Sequence, residues 1–256
     1  MVLWPSERKR RRKVTEMIDQ EESARILYAG LSPQDVPRYT IAQAARYVGL
    51  SPTTLRSWVR GRSYPRSGTA VRSEPLIKAS GLLSFSNLVE AHILRALRRD
   101  EDVRMSFLRT ALSFAEKEYR IERLLLSEQL RAAPGEVLLE QYGRLINLGR
   151  AGQLALRHFF DAHLKRVEWD ALGRPEQFFP GFVSVPVLPA PEIPRLIVLD
   201  PGVSFGKPVL ASRMGLRVSA IVSRIDAGED EDAVAQDYGI ERREVDAAID
   251  FYERAA

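Results

Sequence analysis

Y-T-I-A-Q-A-A-R-Y-V-G-L-S-P-T-T-L-R-S-W-V-R-G, running from Tyr39 to Gly61, is the stretch whose reading decides the fold. Two short helical patterns flank Gly49-Leu50-Ser51. Thr40 is placed to cap the first. Ser51 is placed to cap the second, with Pro52 in the first helical position, where a missing N–H leaves nothing unsatisfied. Ile41, Ala44, Ala45 and Val48 recur at three- and four-residue spacing and share one face, as do Leu55, Trp58 and Val59 in the second pattern. These faces bury each other only if the chain turns sharply at Gly49, a residue that tolerates a left-handed backbone. The pattern is a helix-turn-helix. Its outward face carries Thr53, Thr54, Arg56, Ser57 and Arg60, donors suited to phosphates and base edges. A helical hairpin with a merely solvated polar face has the same pattern, so the surrounding charge has to separate the two readings.

The overall charge is +4, unevenly distributed. Residues 1–80 hold 15 Lys/Arg against 7 Asp/Glu, and residues 181–256 hold 8 against 13. The basic front carries the helix-turn-helix, as expected of a DNA binder. The acidic back points to a different partner. The chain has no cysteine, which excludes disulfides and thiolate metal sites. His158 and His163 are off the spacing that places two ligands on one helix face, and His92 sits in a core-facing pattern, so all three read as structural. No apolar run approaches the roughly 18 residues of a membrane span, and the basic N-terminus lacks the apolar stretch of a secretory signal. These features point to a cytoplasmic protein.

In chain order, residues 1–34 form a basic N-terminal tail and short helix, with Arg8 to Lys13 all basic. Residues 35–100 hold the DNA-binding domain. After the second helix, Gly61 to Thr69 is rich in turn residues and arginine, Leu76 to Leu83 reads as a short strand and turn, and a helix runs from Ser84 to Arg99. Residues 101–180 read as a mixed α+β middle for dimerisation or spacing. It contains an amphipathic helix over 102–120, a hairpin pairing Arg123–Ser127 with Val137–Glu140, the second strand reaching Leu148 at its longest, a helix over 153–164, and a small hairpin around Gly173. Five prolines across 180–195 read as a semi-rigid linker over 181–195. The fold class expected is mainly α with small β elements (α+β).

Residues 196–256 form the second informative region, opening R-L-I-V-L-D-P-G-V-S-F-G-K-P-V-L from Arg195 to Leu210. A strand over 196–199 precedes two turns and three helices, over 218–227, 230–238 and 242–253. The last two helices, joined at Gly239, repeat the helix-turn-helix pattern with an acidic exposed face that repels phosphate. Val245, Ala248, Ile249 and Tyr252 are expected to face inward. No nucleophile elbow, phosphate loop or metal-ligand cluster is present, and Lys207 lacks the Gly-rich loop of a phosphate site. The chain therefore reads as a binding protein rather than an enzyme, with no cofactor.

Tyr39 to Trp58, the basic loop after it, and F-S-N-L-V-E-A-H-I-L from Phe85 to Leu94 together resemble the winged helix-turn-helix head of MerR-type regulators. That resemblance makes the loop between Tyr64 and Lys78 a wing against the DNA backbone. The long heptad helix through which MerR proteins dimerise is absent. The tail, with D-P-G-V-S-F-G-K-P-V-L and A-G-E-D-E-D-A-V-A-Q-D-Y-G, resembles a small bacterial antitoxin family, departing from it at Ala211 to Arg217. Together the two halves resemble VapB-type antitoxins encoded beside a PIN-like ribonuclease toxin. The resemblance implies toxin neutralisation and repression of the protein's own operon, by a homodimer on double-stranded operator DNA. Candidate DNA-contact residues are Arg38, Thr40, Ser51, Thr53, Thr54, Arg56, Ser57, Arg60, Arg62, Tyr64, Arg66 and Arg72. Candidate toxin-contact residues are Phe205, Lys207, Arg213, Arg217, Asp230, Glu231, Asp232, Tyr238 and Tyr252. The competing reading is a MerR-like regulator of another operon whose tail binds a ligand or a non-toxin protein.

Overall fold

Thr40 and Gly49 set the limits of the first helix, α1 (Ile41–Val48), through a reciprocal cap and a left-handed stop. The Thr40 hydroxyl accepts the Gln43 N–H while Gln43 Oε1 accepts the Thr40 N–H, satisfying two donors that the first turn would orphan. Gly49, at φ 65°, donates its N–H to the Ala45 and Arg46 carbonyls. After Leu50, Ser51 caps α2 (Pro52–Arg60) by accepting the Thr54 N–H. The computed structural model describes residues 28–66, 69–97, 109, 112, 113, 116, 117, 120, 123–127, 162–181 and 194–253. The basic block, His158, the strand expected over 137–148, and most of the helices expected over 102–120 and 153–164 lie outside them.

Beyond α2 an antiparallel hairpin pairs β1 (Ser63–Arg66) with β2 (Thr69–Arg72) in the register Ser63–Arg72 to Arg66–Thr69. The chain over 76–83 forms no strand, contrary to the sequence reading. Only Leu83 pairs, exchanging backbone hydrogen bonds with Tyr39 at 2.9 and 2.8 Å. Helix α3 (Phe85–Leu97) follows, and Leu88, Val89, Ala91, His92, Ile93 and Leu94 are all buried. A helix apolar on nearly every side belongs at the centre of a core. Leu124–Leu126, expected as a strand, form a short 3-10 turn.

The second half opens with the expected hairpin, β3 (Val167–Trp169) and β4 (Pro175–Phe178), turned at Gly173. Then β5 (Ile197–Val198) pairs with β6 (Val209–Leu210), and α4 (Val218–Asp226), α5 (Glu231–Tyr238) and α6 (Arg242–Glu253) close the chain. These three helices fall within a residue or so of their expected bounds. In α6 Val245 and Ala248 are buried and Ile249 packs half-buried against the core, as expected, but it is Phe251 that is buried while Tyr252 is 38% exposed. The class is mainly α with small antiparallel sheets, α+β.

Two long-range features join what the sequence divided. One apolar core runs from Val48, Leu55 and Trp58 through Leu88 and Leu94 to Phe178, Leu199, Ile221, Val234 and Val245. Head and tail are therefore packed together. Most of the proline-rich stretch expected as a linker, residues 182–193, lies outside the described residues, but its two ends meet. The buried Arg166 guanidinium donates to the Phe179 and Pro180 carbonyls before the stretch and to the Pro194 carbonyl after it. Burial lowers the Arg166 pKa to about 10, and the three carbonyls hold the group where water cannot. Arg195 strengthens the closure, ion-pairing with Glu168 at 2.7 Å and lying 4.7 Å over the Phe179 ring.

Candidate nucleic-acid interface

The second helix of a helix-turn-helix presents its outer face only if its inner face is fixed, and Leu55, Trp58 and Val59 fix it by burial. Thr53, Arg56 and Arg60 are exposed along the opposite side, with Thr54 and Ser57 half-buried between them. The Ser57 hydroxyl donates to the Thr54 carbonyl at 2.7 Å, and Ser51 Oγ donates to Thr54 Oγ1 at 2.9 Å. Arg95 of α3 donates to the Val48 carbonyl at 3.1 Å, holding the C-terminal end of α1 just before its turn.

The far end of α2 is tied to the hairpin. The Trp58 carbonyl accepts the N–H groups of Leu76 and Ile77 at 2.7 and 3.2 Å. Ser73 closes the hairpin's base: its N–H donates to the Arg62 carbonyl at 2.9 Å, and its hydroxyl accepts the Arg62 N–H. Gly61, at φ 72°, has no room for a side chain, since a Cβ there would stand 2.0 Å from the Ser73 carbonyl oxygen. The recognition helix and the hairpin thus form one rigid unit. Arg62 is exposed at its start, and the backbone places Tyr64 and Arg66 on β1 and Arg72 on β2.

Arg38 departs from the sequence reading. Its guanidinium donates to the carbonyls of Pro33, Val36 and Pro201, three of its five N–H groups, so it serves as a joint between head and tail. Beside it the buried Tyr39 hydroxyl donates to the Gly206 carbonyl at 2.8 Å, and burial raises its pKa. Tyr39 meets Tyr47 edge-on at 5.9 Å, Tyr47 stacks on Phe251 at 6.0 Å, and Arg46 lies 5.1 Å over the Tyr252 ring. Sequence reasoning missed this joint. Its residues stand far apart in the chain, and neither side carries a local signal for the other.

In the tail, Phe205 is exposed, as are Arg213, Arg217, Asp230 and Asp232, while Lys207, Glu231 and Tyr238 are half-buried. Several of the acids have internal work. Asp230 caps α5 by accepting the Asp232 and Ala233 N–H groups. Arg242 bridges Glu231, Asp232 and Asp246. Arg224 bridges Glu229 and Asp237 and lies over the Tyr238 ring at 5.1 Å. Residues 218–253 carry three cations and eleven anions, so the surface stays strongly negative despite these pairs. Among the described residues no group of His, Asp or Glu could hold a metal ion, and no helix is long and apolar enough to cross a membrane. His92 and His163 stack with ring centroids 5.0 Å apart. His92 Nε2 lies 3.0 Å from the His163 carbonyl, and burial followed by the neighbouring His163 holds the His92 pKa well below its usual value.

Two family descriptions match separate parts of the chain. Residues 37–112 match "Putative DNA-binding HTH domain", and residues 197–252 match "Protein of unknown function (DUF433)". A Mycobacterium tuberculosis protein named "Putative antitoxin VapB45" is 28% identical over 84% of this chain and 94% of its own length. "Uncharacterized protein Rv2308" of the same organism is 25% identical over 83% of this chain and 89% of its own. The crystal structure of Rv2018 from M. tuberculosis shares the fold, with a TM-score of 0.59 at 24% identity over 84% of this chain and 98% of that one. The first of these relatives spans head, middle and tail together, so the likeness to a VapB-type antitoxin with a helix-turn-helix domain is a likeness of the whole arrangement.

Proposed function

We propose that this chain, VapB-antitoxin-like with a DNA-binding helix-turn-helix, neutralises a PIN-like ribonuclease toxin through its tail and represses its own operon through its head. The observation that carries the reading is the exposed row Thr53, Arg56 and Arg60, rigidly coupled to a wing and built on the same core as the antitoxin-like tail. In a homodimer, two such helices would enter successive major grooves about 34–36 Å apart, on a palindromic operator. Arg56 and Arg60 supply guanidinium forks for base edges or phosphates, Thr53, Thr54 and Ser57 add hydroxyls, and Arg62, Arg66 and Arg72 ride the backbone through the wing. The tail's acidic helices suit a nuclease, whose substrate path must be basic to hold RNA.

The test uses the full chain, because head and tail share a core. The protein is purified with and without the product of the adjacent gene and titrated onto its own promoter at several salt concentrations. The reading expects a stable complex in which RNA cleavage is silenced. It also expects promoter affinity that falls linearly on a log–log plot against salt. A neighbouring gene product that neither binds nor is inhibited sinks the antitoxin reading. Promoter binding no tighter than binding to unrelated DNA sinks the repressor reading.

A further inference from the structure

Phe205 is the most exposed of the large hydrophobic side chains among the described residues, at 71%. It is also held in a conformation that side chains resist. Ser204, Phe205 and Gly206 take φ values of 48°, 56° and 71°, three left-handed residues in succession, and only the last is a glycine. Left-handed backbone is uncommon for any residue with a Cβ and an outlier for a bulky one. Folding gains nothing in return, since the ring stands in water. A strained backbone that displays an apolar ring is the kind of outlier from which function is inferred.

The loop is fixed from three directions. Tyr39 of the head holds the Gly206 carbonyl, and Arg38 holds the Pro201 carbonyl at 2.9 Å. Gln177 of β4 donates to Asp200 Oδ2 at 2.9 Å, while Asp200 Oδ1 takes the Gly202 N–H at 2.7 Å. Within the loop, Gly206 donates to the Val203 carbonyl and Lys207 to that of Ser204. An aromatic ring presented on a pre-ordered loop loses little freedom on binding.

We propose that Phe205 is the anchor of the tail's protein partner, seating in an apolar pocket bordered by carboxylates. The inference rests on the reading that the tail binds a protein. The border follows from charge. Residues 201–217 hold Lys207, Arg213 and Arg217 and no carboxylate, while Arg195 is already paired with Glu168 and the oxygens of Asp200 already accept hydrogen bonds. Lys207 and Arg217 flank the same backbone crossing, where Val218 donates to the Pro208 carbonyl and Arg217 bridges to Val209. An aromatic ring on a cationic stretch of chain also suits single-stranded RNA, whose bases stack on such rings. An extended polyanion, however, would run onto the acidic helices of the same module, whereas a local pocket does not.

The test compares the full-length chain with Phe205→Ala and Phe205→Gly for affinity to the adjacent-gene nuclease, promoter affinity and thermal midpoint. The anchor predicts a loss of roughly 30-fold or more in nuclease affinity for both variants. Promoter affinity stays unchanged. Phe205→Gly raises the midpoint by a few degrees, because glycine relieves the left-handed backbone. Rising stability with falling affinity is a signature that a merely structural phenylalanine cannot give. If wild type binds the nuclease and both variants bind within about twofold of it, the anchor is wrong and the tail's reading stands. If wild type binds no nuclease, both fall. If the variants instead lose binding to a fluorescein-labelled oligouridine while holding the nuclease, the ring is a base-stacking platform and the protein pocket is overturned.

Discussion

Replacing Gly206 by alanine tests the joint between head and tail at its tightest point. A Cβ there would stand 2.2 Å from Tyr39 Oη, 3.2 Å from Tyr39 Cζ and 3.3 Å from Arg38 Cδ. Tyr39 cannot swing aside, because it is fully buried, paired through its backbone to Leu83 and packed on Tyr47. The hydroxyl must lose its bond to the Gly206 carbonyl, and a buried polar group left unpaired costs about 1–3 kcal/mol. Holding alanine in a left-handed conformation adds about 1–2 kcal/mol, and the stiffer unfolded chain returns about 0.4–1 kcal/mol. The expected loss is about 2–4 kcal/mol. Equilibrium urea denaturation followed by far-UV circular dichroism measures it. The decisive comparison is made in the Tyr39→Phe background, where the oxygen is gone and the nearest ring atom, at 3.2 Å, has to give only by a few tenths of an ångström. There the glycine substitution should cost only the backbone part, about 1 kcal/mol, leaving a coupling of about 1–3 kcal/mol between the two sites. Equal costs in both backgrounds would refute the reasoning, since the two residues would then not be touching.

Arg56→Ala should weaken promoter binding about 10-fold to 100-fold and, where the contact is to phosphate, lower the salt slope by about 1, as read by fluorescence anisotropy. Arg243→Ala, in α6, should leave that binding unchanged. Arg166→Gln should lower stability by about 2–4 kcal/mol, because carbonyls on both sides of the proline-rich stretch lose a charged donor, visible as a lower denaturation midpoint. His92 is held neutral in the folded state, while the unfolded chain takes up a proton as pH falls. Its contribution is therefore complete above about pH 6.5 and lost progressively below it, toward its depressed folded value. Denaturation at pH 7.5 and 5.5 should show the difference, and His92→Asn should flatten it.

The head was legible because its signals are local. Thr40, Gly49, Ser51 and Pro52 each act within four residues of themselves, and the buried faces of α1 and α2 follow from spacing alone. The tail helices were legible for the same reason, bounded as they are by Gly228 and Gly239. What the sequence hid is long-range. Arg38 and Arg56 look alike in one dimension, and only the fold shows the first turned onto the Pro201 carbonyl and the second onto solvent. Proline content conveys stiffness but not direction, so the meeting of Phe179, Pro180 and Pro194 on Arg166 leaves no trace in the sequence. Leu124–Leu126 is an apolar run too short for periodicity to sort strand from helix. Phe251 and Tyr252 are adjacent aromatics, and the ring of Tyr47, far away in the head, decides which of them is covered.

The two helix-turn-helix units of the chain share a geometry and differ in charge. In α1 and α5 alike, eight residues follow a side-chain cap and end at a left-handed glycine whose N–H reaches two carbonyls, those of Ala45 and Arg46 in one case and Ala235 and Gln236 in the other. The next residue, Leu50 or Ile240, donates to the first of those carbonyls in both. Counting on from each glycine, the positions of Thr53, Arg56 and Arg60 in the head correspond to Arg243, Asp246 and Asp250 in the tail. Since the backbone is the same, the fold cannot say which unit meets DNA, and charge must. A phosphate backbone is drawn to a face with two guanidinium groups and repelled by one where carboxylates take their places. The pairing of Asp246 with Arg242 softens that repulsion without reversing it, because three cations cannot balance eleven anions over residues 218–253. The same physics that assigns nucleic acid to the head therefore leaves the tail for a partner of another kind. The two units nonetheless share one core, with Tyr39, just before α1, bonded to Gly206 of the tail.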